Sequence, residues 1–161
     1  MFLDRVSWNY CKRALLCCSL AHGLLFLIFR AYVDNKVLKL VSRSHYLPHL
    51  DKEDRGGEDG HFMLTKEQAI GVFYGVGGWA EVGINVGDYA RELMENTIVA
   101  IKGEPQNSID PIKVLEKAYL STKSQGSSTA CILVLSNKVI ENSQVSYIVC
   151  FDLLYYPTYL F

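Results

Sequence analysis

The spacing of apolar positions changes several times along the chain, and each change predicts an element. Ala14 to Phe29 is an almost unbroken apolar run of 16 residues, with Lys12 and Arg13 ahead of it and Arg30 behind. That length falls just short of the ~18–20 residues that comfortably span a bilayer, yet exceeds what a buried helix needs. Positive residues ahead of an apolar run fit a signal or anchor layout. The one small-x-small cleavage pattern, Ser19-Leu20-Ala21, lies inside the run, so residues 1–41 read as an apolar anchor or targeting segment, or else as a misassigned start of the gene. His22 within the run reads as incidental. Residues 35–41 fit a short strand or a helical turn equally well. Residues 42–57, with Pro48 and the charged run Asp51 to Arg55, read as a solvated loop.

Period-two patterning then takes over. His61–Leu64 and Gln68–Phe73 are short strand-like runs joined by Thr65-Lys66-Glu67 as a turn. From Asn85 the period becomes helical: Val86, Tyr89, Ala90, Leu93, Met94, Thr97, Ile98 and Ile101 form the stripe of a helix with one face buried. Asn85 supplies an N-cap, and Asp88 suits the positive end of the helix dipole. Residues 103–107 read as a loop. Asp110-Pro111 opens a second helix, aspartate as cap and proline in the first turn, with Ile112, Leu115 and Tyr119 on its buried face. Gly126 is expected to end its polar tail. Thr129–Leu135 is uninterruptedly apolar, as in a central strand covered on both faces. No internal repeat is present.

The chain's 161 residues hold one modest domain. A formal net charge of -1 provides no basic surface for nucleic acid. The five cysteines have no CxxC spacing and leave one odd, which argues against structural zinc and a disulfide framework and for reduced thiols.

The chemistry concentrates between Gly57 and Asn85. The second strand runs into Gly75-Val76-Gly77-Gly78-Trp79, and Glu58-Asp59 stands just before the first. Glycine permits a left-handed turn or a close backbone approach to a ligand. Adjacent short strands bring a carboxylate corner and a glycine corner to one end of a sheet, which suits a cation or a phosphate. His61 beside the carboxylates reads as a half-buried neighbour. Gly75-x-Gly77-x-x-Ala80 also matches a dinucleotide fingerprint with Glu95 downstream. A helix should start within that motif, however, and Gly83 and Gly87 interrupt it. No Gly-Lys-Ser/Thr follows, which excludes a P-loop.

Tyr46-Leu47-Pro48-His49, Gly56-Gly57-Glu58-Asp59-Gly60-His61-Phe62, Ala69-Ile70-Gly71-Val72, Gly75-Val76-Gly77-Gly78-Trp79-Ala80, residues 87–94 and residues 126–131 together resemble the plant organellar branch of the type 2C metal-dependent protein serine/threonine phosphatases, the PPM family. The resemblance covers residues 42–135. It implies an α+β fold, a partial α/β-sandwich with helices packed on an antiparallel sheet, of which residues 42–137 are the N-terminal part. It also implies hydrolysis of phosphoserine and phosphothreonine in proteins by a monomeric enzyme holding two Mg2+ or Mn2+ ions. By position it assigns Glu58 and the Gly75 carbonyl to the metal site, with Asp59 in support, and leaves Lys52 and Arg55 as candidates for phosphate. The compartment it points to is a mitochondrion or plastid; the run 14–29 points to a membrane.

The family's signature reads Asp-Gly-Val-Gly-Gly, and here the aspartate is Tyr74. A phenol with an ordinary pKa near 10 offers a neutral, bulky, weakly coordinating oxygen where the family has a bridging carboxylate. The family's remaining metal aspartates belong to its C-terminal half. After Asn137 the likeness stops and no acidic corner follows, so residues 138–161 read as a divergent tail, either an added strand over residues 145–156 or intron read-through. The resemblance therefore implies phosphatase activity that is impaired in this chain. The alternative is a catalytically dead pseudophosphatase or phosphoprotein-binding remnant.

Overall fold

The computed structural model describes the backbone of residues 13–20, 23–34, 37–106, 108–140 and 143–155, and the side chains of residues 39–50, 52–54, 56–106 and 108–135. Lys12, Cys11, His22 and the tail from residue 156 lie outside these, as do the side chains of Cys17, Cys18, Arg55 and Cys150.

Among the described residues, seven strands form two antiparallel sheets. β1 (Arg13–Leu20), β2 (Gly23–Asp34) and β3 (Val37–Pro48) make one; β4 (Asp59–Leu64), β5 (Ala69–Gly75), β6 (Gly126–Ile140) and β7 (Ser143–Tyr155) make the other in that order. Helices α1 (Val86–Gly103) and α2 (Pro111–Ser121) join β5 to β6. They cover one face of the four-stranded sheet. Tyr89, Ala90, Leu93 and Ile101 from α1 and Val114, Leu115 and Ala118 from α2 meet Phe62, Phe73, Ala130, Ile132 and Val134 in the main core. On the opposite face, Leu40 of β3 packs with Ile70, Leu133 and Leu135. β5 and β6 are thus covered on both sides, as the continuous apolar text of residues 129–135 predicts. The α+β architecture expected of a partial sandwich is what forms.

The helix boundaries follow their caps. Asn85 accepts from the Gly87 amide at 3.1 Å. Asp110 accepts from the Ile112 amide at 3.0 Å, and Pro111 fills the first turn. Replacing Asp110 with alanine should cost about 1 kcal/mol in a urea melt, and replacing it with asparagine much less, since only alanine orphans the first-turn amides. Exposed Ile112, at 38%, corrects the expected stripe of α2; Val114 and Ala118 are buried instead. The helix ends at Ser121, and Gly126 begins β6 rather than closing α2.

Two further readings are sharpened. Residues 14–20 and 23–29 of the apolar run lie in two strands. The run folds on itself with Leu16 opposite Leu27 and Arg13 opposite Arg30, so both charged ends leave at one end of the pair. Gly23, unfavourable by about 1 kcal/mol inside a helix, sits where the run divides. Among the described residues no helix is long and apolar enough to cross a membrane. Residues 42–48, read as loop, belong to β3, and only residues 50–55 form a 3-10 turn. Within the tail, residues 143–155 form β7, the added strand that is one of its two readings, paired along β6 from Gly126↔Tyr155 to Ile140↔Ser143.

Gln68 fastens the sheets at the end away from the glycine corner. In the β4–β5 turn it takes a left-handed φ of 55°. Its side-chain Oε1 accepts from the Leu40 amide of β3 at 2.5 Å, and its carbonyl accepts from the Leu135 amide of β6 at 2.9 Å.

Candidate functional site

The register of β4 against β5 puts Asp59 directly opposite Tyr74, and β6 continues the row with Thr129 opposite Tyr74. The two corners foreseen in the sequence therefore meet at one sheet end. The Gly75 amide donates to the Glu58 carbonyl at 3.0 Å. A Cβ on Gly75 would stand 2.8 Å from that same carbonyl, so the close approach of the strand ends depends on glycine here.

A closed turn leads into Glu58. The Lys52 amide donates to the His49 carbonyl at 2.8 Å, and the Gly57 amide returns to the Lys52 carbonyl at 3.0 Å. Gly57 holds a left-handed φ of 78°, and any side chain there would overlap the Tyr46 hydroxyl. From α1, Arg91 donates through Nη1 to the Gly57 carbonyl at 2.9 Å and through Nη2 to Asp88 at 2.6 Å. Beyond Gly75, the Val76 amide donates to the Ser127 carbonyl at 3.0 Å, and the Trp79 indole donates to Ser127 Oγ at 2.8 Å. A 3-10 turn over Gly77–Val82 follows β5, and α1 starts only at Val86. The dinucleotide fingerprint has no helix where it needs one.

Inside the corner, charge is scarce and burial is deep. Lys52 Nζ lies 2.6 Å from Glu58 Oε2, an ion pair rather than a directed hydrogen bond, with the Glu58 side chain only 9% exposed. The Tyr46 hydroxyl and Asp59 Oδ1 are buried without a well-formed hydrogen bond. Burial pushes the Asp59 carboxyl up to about 6; the Tyr46 hydroxyl and Lys52 pull the other way, while the Glu58 charge adds to the rise. Burial also lifts the Tyr46 phenol to about 12, with the Asp59 charge next in effect. Tyr74 is raised by burial first and then by Asp59 and Glu58, so both phenols beside the carboxylates are neutral. His61 packs against Tyr46, ring centroids 6.3 Å apart, and burial lowers its pKa. That is the half-buried neighbour expected of it.

The chain matches no protein-family model. Among curated proteins it is 65% identical over 108 residues to "Probable protein phosphatase 2C 55" of Arabidopsis thaliana, covering 67% of this chain and 23% of that protein. It is 60% identical over 104 residues to "Probable protein phosphatase 2C 80" of the same plant, covering 64% and 25%. The chain thus spans about a quarter of the length of these relatives. Among solved structures it superposes on the photosystem II phosphatase PBCP with a TM-score of 0.54 and 25% identity, covering 68% of this chain and 60% of that one.

The matched stretch belongs to the protein phosphatase 2C family. Glu58, Asp59, Tyr74 and Gly75 lie together at one end of the β4–β5 pair. Phosphatases of this family are metal-dependent, but among the described residues the side-chain donors do not fit a two-cation centre. Hard cations need several anionic oxygens. Tyr74 contributes a neutral phenol, and Glu58 is already engaged by Lys52. Among the described residues no group of three or more His, Cys, Asp or Glu is arranged to hold a metal ion. Lys52, one of the two phosphate candidates, directs its ammonium to Glu58; the side chain of Arg55, the other, is outside the described set. Tyr46, Arg91 and Ser127 were not singled out as site residues. Each lies within a stretch that resembles the family, but nothing in residue type or spacing marks it as a support for the corner.

Proposed function

We propose that residues 42–137 carry the N-terminal part of a metal-dependent protein serine/threonine phosphatase domain, a hydrolase acting on phosphoserine and phosphothreonine in proteins, and that this copy does not turn over. The observation that carries the reading is the pairing of Asp59 with Tyr74 across β4 and β5. The resemblance calls for a bridging carboxylate at position 74, and a neutral phenol stands there beside Asp59. The partner of such a domain is a phosphoprotein, and the domain works as a single copy. Incubated with a phosphothreonine peptide and millimolar Mg2+ or Mn2+, the 161-residue chain should release phosphate no faster than buffer. Turnover that scales with protein and disappears in Glu58→Gln would reverse the reading of silence.

A second reading, a phosphoprotein-binding pseudophosphatase, is favoured by the glycine corner being pinned to Ser127 through Val76 and Trp79. Trp79 fluorescence titrated with phosphorylated and unphosphorylated peptide separates the two readings, since only the second requires a difference.

A further inference from the structure

We propose that the Lys52 ammonium is the resident counter-ion of Glu58, standing where the phosphatase 2C reading expects a divalent cation, and that it keeps such ions out of the corner. The inference rests on that reading only for the expectation of a cation beside Glu58. Glu58 is 7% exposed, and a carboxylate so buried needs a partner of opposite charge. Lys52 provides it at 2.6 Å.

The backbone builds this contact in. The Gly57 amide closes on the Lys52 carbonyl, and the Gly56 amide closes on the Glu53 carbonyl at 2.9 Å, so the chain doubles back just before Glu58. Gly56 and Gly57 both hold left-handed φ values, 74° and 78°, which allow the reversal. Arg91 then fixes the Gly57 carbonyl from α1 at 2.9 Å. Lys52 is thereby tied in sequence and in space to the residue it neutralises.

On the far side, Tyr74 brings no charge. Two carboxylates, Glu58 and Asp59, face one ammonium. A divalent ion added to that set would overcompensate it while lying within a few ångströms of Lys52, a repulsion that weak dielectric screening leaves strong. With an aspartate at position 74 the balance would favour the ion; with tyrosine it favours the lysine.

The test is direct Mn2+ binding to the full chain, read from the electron paramagnetic resonance signal of free Mn2+. Wild type is expected to match Glu58→Gln. Lys52→Met should bind at least about tenfold more tightly than wild type, and Lys52→Arg, which keeps the charge, should show no gain. Wild-type binding that Glu58→Gln abolishes would overturn the proposal, as would a folded Lys52→Met without a gain. If Lys52→Met does not fold, the comparison of wild type with Glu58→Gln decides alone. Phosphate release that needs no added cation would defeat the reading of silence and leave this inference standing. Glu58-dependent Mn2+ binding without turnover would do the reverse.

Discussion

Joining the C-terminal half of a family phosphatase to this chain and changing Tyr74→Asp in the same molecule should raise Mn2+-dependent phosphate release by at least about two orders of magnitude over either change alone. On the proposed reading, two deficits act at one centre. The phenol at position 74 is neutral and faces Asp59, and the family's other metal aspartates belong to the half that the graft supplies. Tyr74→Asp alone leaves one carboxylate corner, which cannot hold two hard cations in a bridging geometry. The graft alone leaves the bridge missing. Together they supply enough anionic oxygen to draw a cation away from competition with Lys52. The measurement is phosphate release from a phosphothreonine peptide by the four proteins at fixed Mn2+. Equal activity of the grafts with Tyr74 and with Asp at this position would show that position 74 has no part in the centre.

The second large effect is on stability. Leu93→Ala should destabilise the protein by about 3–4 kcal/mol, within the ~2–5 kcal/mol found for emptying a fully buried leucine site. Leu93 is 0% exposed at the middle of α1, where it meets the four-stranded sheet. A small domain has only ~5–15 kcal/mol of stability to lose, so this change removes a large part of it. Val99→Ala on the same helix should stay within about 0.5 kcal/mol, because Val99 is 70% exposed. Paired urea melts give both values. A similar loss at the two positions would mean that α1 is not docked as described.

The helices and the glycine corner were readable because local chemistry and tertiary role agree there. Asn85 and Asp110 cap their helices, and the apolar stripe of α1 is the face that packs. β3 was not readable, for a definite reason. Its alternation is inverted: Val41 and Leu47 are each 49% exposed, while Ser42, Ser44 and Tyr46 turn partly inward. A polar residue on the covered side erases the period-two signal that marks a half-buried strand. The strands within the run 14–29 were not readable for another reason, since a continuous apolar stretch carries no period that distinguishes helix from strand. The carboxylate and glycine corners could be placed near each other from strand order. The Lys52 contact could not, because it depends on a closed turn whose residues read only as a charged loop.

The order of the four-stranded sheet also bears on how the molecule assembles. β4 and β5 are joined by a short turn, so their pairing is a local event, but β5 meets β6 only after the chain has travelled out through α1 and α2 and back. Ala69 opposite Val134 is a contact between segments remote in sequence, and such contacts bear the entropy of closing a long loop before they return any energy. Helix formation shortens that loop and presents an apolar face on which β6 can settle. The hairpin of β4 and β5 and the α1–α2 pair are therefore the local parts of this topology, and the seam between β5 and β6 is its non-local part. The Asp59–Tyr74 corner lies in the local hairpin, while its anchor on Ser127 crosses the non-local seam.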